Sequence, residues 1–81
     1  MSDPLFQPTQ VLDARNLLCP MPIFRSEASM KKLAVGEILE VWGTDPGLSN
    51  DLPAWCSVNG HKLLAIRQEG RLIIGWVEKG E

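Results

Sequence analysis

The run Leu12-Asp13-Ala14-Arg15-Asn16-Leu17-Leu18-Cys19-Pro20-Met21-Pro22-Ile23-Phe24-Arg25-Ser26-Glu27-Ala28-Ser29-Met30 decides the architecture. With Thr9, Gln10 and Val11 before it, its first residues are short and β-branched enough for a strand over 9–13, and 14–18 read as the loop that leaves it. Cys19-Pro20-Met21-Pro22 then opens a stretch without glycine or further proline until Gly36, which predicts a helix over 20–34. Proline suits a first turn, because the N–H it lacks would have no intrahelical acceptor there. Ile23, Ser26, Met30 and Leu33 recur at helical spacing as a narrow core stripe, while Arg25, Ser29 and Lys32 fall on a wet face. Met21 and Phe24 lie off the stripe and Cys19 stands at the N-cap region.

Beyond Gly36, Ile38-Leu39-Glu40-Val41-Trp42 reads as a second strand, closed by Gly43-Thr44-Asp45-Pro46-Gly47. Leu48, Leu52, Trp55 and Cys56 recur at i, i+4, i+7 and i+8 and predict a second helix ended by Asn59-Gly60. Asp45 and Asp51 are candidate caps for it, and Pro53 predicts a distorted first turn. Residues 62–68 and 72–77 are apolar, flank Glu69-Gly70, and read as an antiparallel hairpin. The order βαβαββ makes an α+β fold: a two-layer sandwich of one four-stranded mixed sheet with two helices on one face. Residues 1–8, with Pro4 and Pro8, read as a loosely ordered leader, and 9–81 as a single domain.

Composition narrows the function. With 81 residues, 44% hydrophobic and 22% charged, the chain has the makeup of one small globular domain. Ten acidic against eight basic residues leave a net charge of −2, so no stable nucleic-acid binding through a basic face is expected. The N-terminus lacks a basic run followed by an apolar stretch, and nothing approaches the roughly 20 apolar residues of a membrane span. The expectation is a cytoplasmic protein with no membrane association. Two cysteines and one histidine are too few for a structural zinc site, so neither metal nor cofactor is expected. Without an export signal, Cys19 and Cys56 read as thiols of a reducing compartment.

Cys19 carries the chemistry. A cysteine at a helix N-terminus faces unpaired N–H groups and the positive end of the dipole, which favour thiolate and can lower the pKa from about 8.5 to about 3.5–7.5. No second cysteine follows at i+3, so local dithiol exchange is excluded, and no Cys/His/Asn set for proteolysis assembles from the sequence. A lone activated thiol suits carriage of a group.

These residues form a wider pattern: Leu12-Asp13-Ala14, Leu18-Cys19-Pro20-Met21-Pro22, Gly36-Glu37, Thr44-Asp45-Pro46, Asp51-Leu52-Pro53-Ala54-Trp55-Cys56 and Gly60-His61. The chain thereby resembles the TusA (SirA-like) sulfur-carrier family from about Gln10 to Gly80. The resemblance implies a βαβαββ fold like the C-terminal domain of a bacterial translation initiation factor, and a persulfide carried on the CPxP cysteine, here Cys19, with Pro20, Met21 and Pro22 completing the motif. It also implies a sulfur donor of the cysteine desulfurase or rhodanese type and a DsrE-like or other acceptor. Among relatives the sulfur serves tRNA thiolation, molybdenum-cofactor enzyme maturation or sulfur oxidation. The chain departs from the tRNA-thiolation carrier at Met21, where that protein has an acidic residue, at Glu27, where it has a basic one, and in the turn Gly47-Leu48-Ser49-Asn50.

The remaining residues read more plainly. Cys56 lies on an apolar stripe and reads as core, His61 as a hydrogen-bonded edge residue, and the scattered Trp42, Trp55 and Trp76 as core or rim aromatics. Asp13 is either a local cap or a site residue. Lys31 pairs first with Glu27 one turn back, and with Phe24 is a candidate partner contact. Two readings of function follow: a persulfide sulfur carrier working through Cys19, or a non-catalytic protein-interaction or RNA-associated regulatory module of the same fold.

Overall fold

The computed structural model describes residues 6–80. Six elements run in the order β1 (Gln10–Ala14), α1 (Met21–Met30), β2 (Ile38–Gly43), α2 (Leu48–Asn59), β3 (Lys62–Glu69) and β4 (Leu72–Glu78). The strands form one mixed sheet in the order β1-β2-β4-β3, with β1 parallel to β2 and the other pairs antiparallel. The parallel pair needs a crossover, which α1 supplies, whereas β3 and β4 close directly as a hairpin.

Strand alternation fixes which side chains meet the helices. Leu39 and Val41 of β2 and Ile73 and Val77 of β4 point to one face, where they form the core with Met30, Leu33, Leu48, Leu52, Trp55 and Cys56. Glycines let α2 sit close to this face: a Cβ at Gly43 would run into Leu48, and one at Gly75 into Leu52. The stripe of α2 is buried as its spacing predicts, and Gly60 at φ 74° closes the helix in the left-handed conformation glycine tolerates. Pro53, expected in a distorted first turn, lies past that turn, inside the helix that begins at Leu48.

Two expectations for α1 are corrected. The helix stops at Met30 instead of reaching 34, because the N–H groups of Lys32 and Leu33 turn back to Ser29 and Met30 in tight single turns. Leu33 nonetheless reaches the core from this extension. Ser29, expected on the wet side, is buried and accepts a 3.5 Å hydrogen bond from Gln10 Nε2 of β1. The buried side of α1 is wider than the predicted stripe: Ile23, Ser26, Met30 and Leu33 face the core as expected, and Pro22 and Ser29 join them. Ser26 keeps its hydroxyl satisfied by donating to Pro22 O at 2.8 Å.

The helix-free face carries an unanticipated polar cluster. Glu40 is buried, and its two carboxylate oxygens accept from Trp42 Nε1 at 2.6 Å and Trp76 Nε1 at 2.8 Å. A buried carboxylate needs such donors to offset lost hydration. Trp42 and Trp76, scattered in the sequence, meet because they flank Glu40 across the β2–β4 register. Of the leader expected over 1–8, residues 1–5 lie outside the described residues, while the Phe6 ring packs 6.1 Å from Trp76. No helix among the described residues is long and apolar enough to cross a membrane, and no cluster of three or more metal-ligating side chains occurs among them.

Candidate functional site

Cys19 lies in the loop between β1 and α1, and that loop is tied to the one following β2. Its N–H donates to Asp45 Oδ2 at 2.8 Å, and the Asn16 N–H donates to Thr44 Oγ1 at 2.9 Å. Asn16 adopts φ 67°, which asparagine accepts more readily than most residues. The Cys19 thiol donates to Asp51 Oδ2 at 2.6 Å. Asp51 belongs to the first turn of α2, one helical turn past Gly47. A Cβ at Gly47 would lie 3.6 Å from Asp45 Oδ2 and 3.7 Å from Asp51 Oδ2, so both carboxylates converge on this bare stretch of backbone. Neither aspartate caps α2 with its side chain as expected. Asp45 Oδ2 and Asp51 Oδ2 turn to Cys19 instead, while Asp45 Oδ1 accepts the Gly47 N–H at 3.4 Å.

This arrangement overturns the expectation of a thiol activated by a helix N-terminus. Pro20, joined to Cys19 by a cis peptide bond, is the N-cap, so Cys19 stands outside α1. The N–H groups of the first turn are already engaged: Met21 donates to Leu18 O at 2.8 Å, and Ile23 and Phe24 both donate to Pro20 O at 3.1 Å. Pro20 and Pro22 have no N–H to offer. The Cys19 pKa is raised above its ordinary value, first by the hydrogen bond to Asp51, then by partial desolvation, then by the negative charges of Asp51 and Asp45. A carboxylate that accepts the S–H bond stabilises the thiol and repels the thiolate.

Cys19 is exposed, and so are three apolar residues that flank it in the chain. Leu18 is 74% exposed, Phe24 59% and Met21 40%, so Met21 and Phe24, expected off the core stripe, are on the surface together with Leu18. Beside it runs a cleft of about 620 Å³ lined by Asn16, Leu18, Thr44, Asp45, Gln68 and Arg71 among others, between the Cys19 loop and the β3–β4 turn. Pro22 of the motif is buried beneath the first turn. Cys56 is 3% exposed in the core, and burial pushes its pKa up to about 11.

Other candidate residues fall elsewhere. Asp13 pairs in register with Trp42, on the helix-free side of the sheet, and its carboxylate is held by Arg15 Nε at 2.8 Å and Nη2 at 2.7 Å. It also accepts the Arg15 N–H at 3.1 Å, the local cap among the two readings, and these bonds lower its pKa to about 2. Lys31 follows the C-terminal end of α1, opposite the end that carries Cys19. The expected Lys31–Glu27 pair does not form: Glu27 Oε1 accepts from Trp55 Nε1 at 2.9 Å, joining the two helices. His61 is the hydrogen-bonded edge residue expected of it, its Nδ1 accepting from the Gly80 N–H at 3.1 Å.

The site is thus one thiol, two carboxylates brought to it from 26 and 32 positions away, and an exposed apolar rim. Comparison with known proteins identifies the family. The family described as Sulfurtransferase TusA matches residues 10–79. YrkI of Bacillus subtilis (strain 168) is 49% identical over 71 residues, covering 88% of this chain and 95% of that protein. Sulfur carrier protein TusA of Pseudomonas putida (strain W619) is 36% identical over 74 residues, covering 91% of this chain and 92% of that one. The crystal structure of a SirA-like protein from Desulfitobacterium hafniense shares the fold, with a TM-score of 0.76 over 89% of this chain and 99% of its own at 19% identity. With the CPxP loop, the βαβαββ sandwich and a family match across nearly its whole length, this chain belongs to the TusA (SirA-like) family of sulfur carriers.

Proposed function

We propose that the protein accepts a sulfane sulfur on Cys19 as a persulfide and passes it to a cysteine of a second protein. The observation that carries this reading is the contrast between its two thiols: Cys19 is exposed within an apolar rim, whereas Cys56 is sealed in the core. In the loading step Cys19 Sγ attacks the terminal sulfur of a donor's cysteine persulfide. The Sγ–S bond forms, the donor's S–S bond breaks, and its electron pair stays on the donor sulfur, which takes up the proton Cys19 gives up. Sulfane sulfur changes hands with no net oxidation. Unloading is the same displacement, with an acceptor thiolate as nucleophile and Cys19 as leaving group.

The donor in this reading is a cysteine desulfurase or a rhodanese-type protein, and the acceptor a DsrE-like or similar relay protein. The use of the sulfur, whether tRNA thiolation, molybdenum-cofactor enzyme maturation or sulfur oxidation, is set by that acceptor. The exposed Leu18, Met21 and Phe24 suit docking, since apolar side chains around a reactive group can seat a partner and exclude water from the labile persulfide. The test is intact-mass analysis after incubation with a cysteine desulfurase, cysteine and pyridoxal phosphate. The wild type and Cys56→Ser should gain one sulfur atom, and Cys19→Ser none. Loading of Cys19→Ser to a comparable extent, or no loading of the wild type, overturns the reading.

A further inference from the structure

We propose that Asp51 is a positioning residue that latches the carrier thiol, holding Cys19 protonated and turned toward α2 until a docked sulfur donor brings a cation to the Asp51 carboxylate. The proposal rests on the persulfide-carrier reading above and adds to it how the thiol is kept quiet and which chemistry in the donor releases it.

Geometry carries the argument. Cys19 Sγ is in direct contact with Asp51 Oδ2, to which the thiol donates its hydrogen bond. Asp51 is half-buried in the first turn of α2, where the helix dipole favours a negative side chain, so the acceptor is fixed in place. Its charge has no cation to neutralise it: the ion pairs among the described residues are Arg15–Asp13 and Arg67–Glu69. The charged groups facing the thiol are Asp51 from α2 and Asp45 from the loop after β2, both negative. Arg71 of the β3–β4 turn borders the same cleft as Asp45 and Leu18 and makes no ion pair with either aspartate.

The consequence follows from thiol chemistry. Thiolate is the nucleophile, so a carboxylate that holds the proton keeps the empty carrier unreactive toward stray electrophiles and oxidants. A lysine or arginine of the donor pairing with Asp51 would cancel that effect at the moment of transfer. The Cys19 proton then leaves for the departing donor thiolate while the Sγ–S bond forms and the donor's S–S bond breaks. The partner this site fits is therefore a sulfur donor with a cation beside its persulfide, seated on Leu18, Met21 and Phe24.

The experiment measures the iodoacetamide alkylation rate of Cys19 against pH in the wild type, Asp51→Asn and Asp51→Glu. Asp51→Asn should shift the profile to lower pH and react several-fold faster at neutral pH, and Asp51→Glu should move back toward the wild type. Should Asp51→Asn fail to fold, Asp51→Ser carries the same comparison. Superimposed profiles overturn the latch. Sulfur loading is then compared between inorganic polysulfide, which brings no cation, and a cysteine desulfurase. The ratio of desulfurase to polysulfide rates should fall several-fold in Asp51→Asn, and an unchanged ratio overturns the role of the donor's cation. Failure of the carrier reading looks different: the pH profile shifts, yet the wild type gains no sulfur from either source.

Discussion

Cys19 and Cys56 are the same side chain in two settings, and both hold their proton more tightly than a free thiol, for unlike reasons. At Cys56 the cause is the core: desolvation among Leu48, Leu52 and Trp55 disfavours any charge. At Cys19 the first cause is a hydrogen bond to one carboxylate, in a loop open to solvent. The buried thiol is inert because nothing can reach it. The exposed one is held quiet by a neighbour that another molecule can reach and neutralise. Burial cannot be relieved without unfolding, whereas a charge can be countered by a docked partner, so only the second arrangement suits a group that must react on demand.

The largest effect that could break this comparison is in native-state reactivity. Under folding conditions iodoacetamide should modify Cys19 and leave Cys56 more than about a thousandfold slower, because reaching Cys56 requires opening of a core worth at least about 5 kcal/mol. Peptide mapping of the alkylated protein checks this, and similar rates at the two positions would remove the distinction.

A smaller effect sharpens the contrast through alkaline stability. A thiol whose pKa is higher in the folded than in the unfolded chain adds stability at pH values below its unfolded pKa and loses it as pH rises through the folded one. For Cys56 that window runs from the ordinary 9.0 to about 11, and the loss is on the order of 1–3 kcal/mol. Urea midpoints should fall more steeply across this window in the wild type than in Cys56→Ala. The chain contains no tyrosine, so no phenolate ionisation overlaps, and every other ionisable side chain is common to the two proteins. Parallel curves would mean that Cys56 reaches water.

The smallest stability effect is expected on the open side. Phe24→Ala removes an exposed ring and should change stability by less than about 1 kcal/mol, while slowing sulfur transfer to the acceptor through weaker docking. Thermal unfolding alongside a transfer assay separates the two. A loss nearer 3 kcal/mol with normal transfer would assign Phe24 to packing.

Much of this was legible along the chain because it rests on short-range periodicity. The α2 stripe of Leu48, Leu52, Trp55 and Cys56 follows from helical spacing alone, and so does the exposure of Met21 and Phe24 off the α1 stripe. The end of α1 was less legible, since tight turns at Lys32 and Leu33 leave no mark in composition. Ser29 looked solvated because a serine one step off a stripe is buried only if a neighbouring strand, here β1 with Gln10, lies on that side. The Glu40 cluster had a faint signal in the alternation of Glu40 with Trp42 and of Ile74 with Trp76, but it needs the β2–β4 register to bring the two indoles to one carboxylate.

The sequence by itself determined the order of elements, the buried face of α2 and which cysteine is in the core, because each depends on neighbours a few residues apart. Only the tertiary structure decided the state of Cys19. Read locally, Cys19-Pro20-Met21-Pro22 promises a thiolate at a helix N-terminus. In the fold, Pro20 takes the cap position, the first-turn N–H groups are engaged or missing, and Asp51 arrives from 32 positions away to hold the proton. No spacing rule links residues that far apart. Packing of α2 against the sheet sets their meeting, and electrostatics acts on distance in space rather than along the chain.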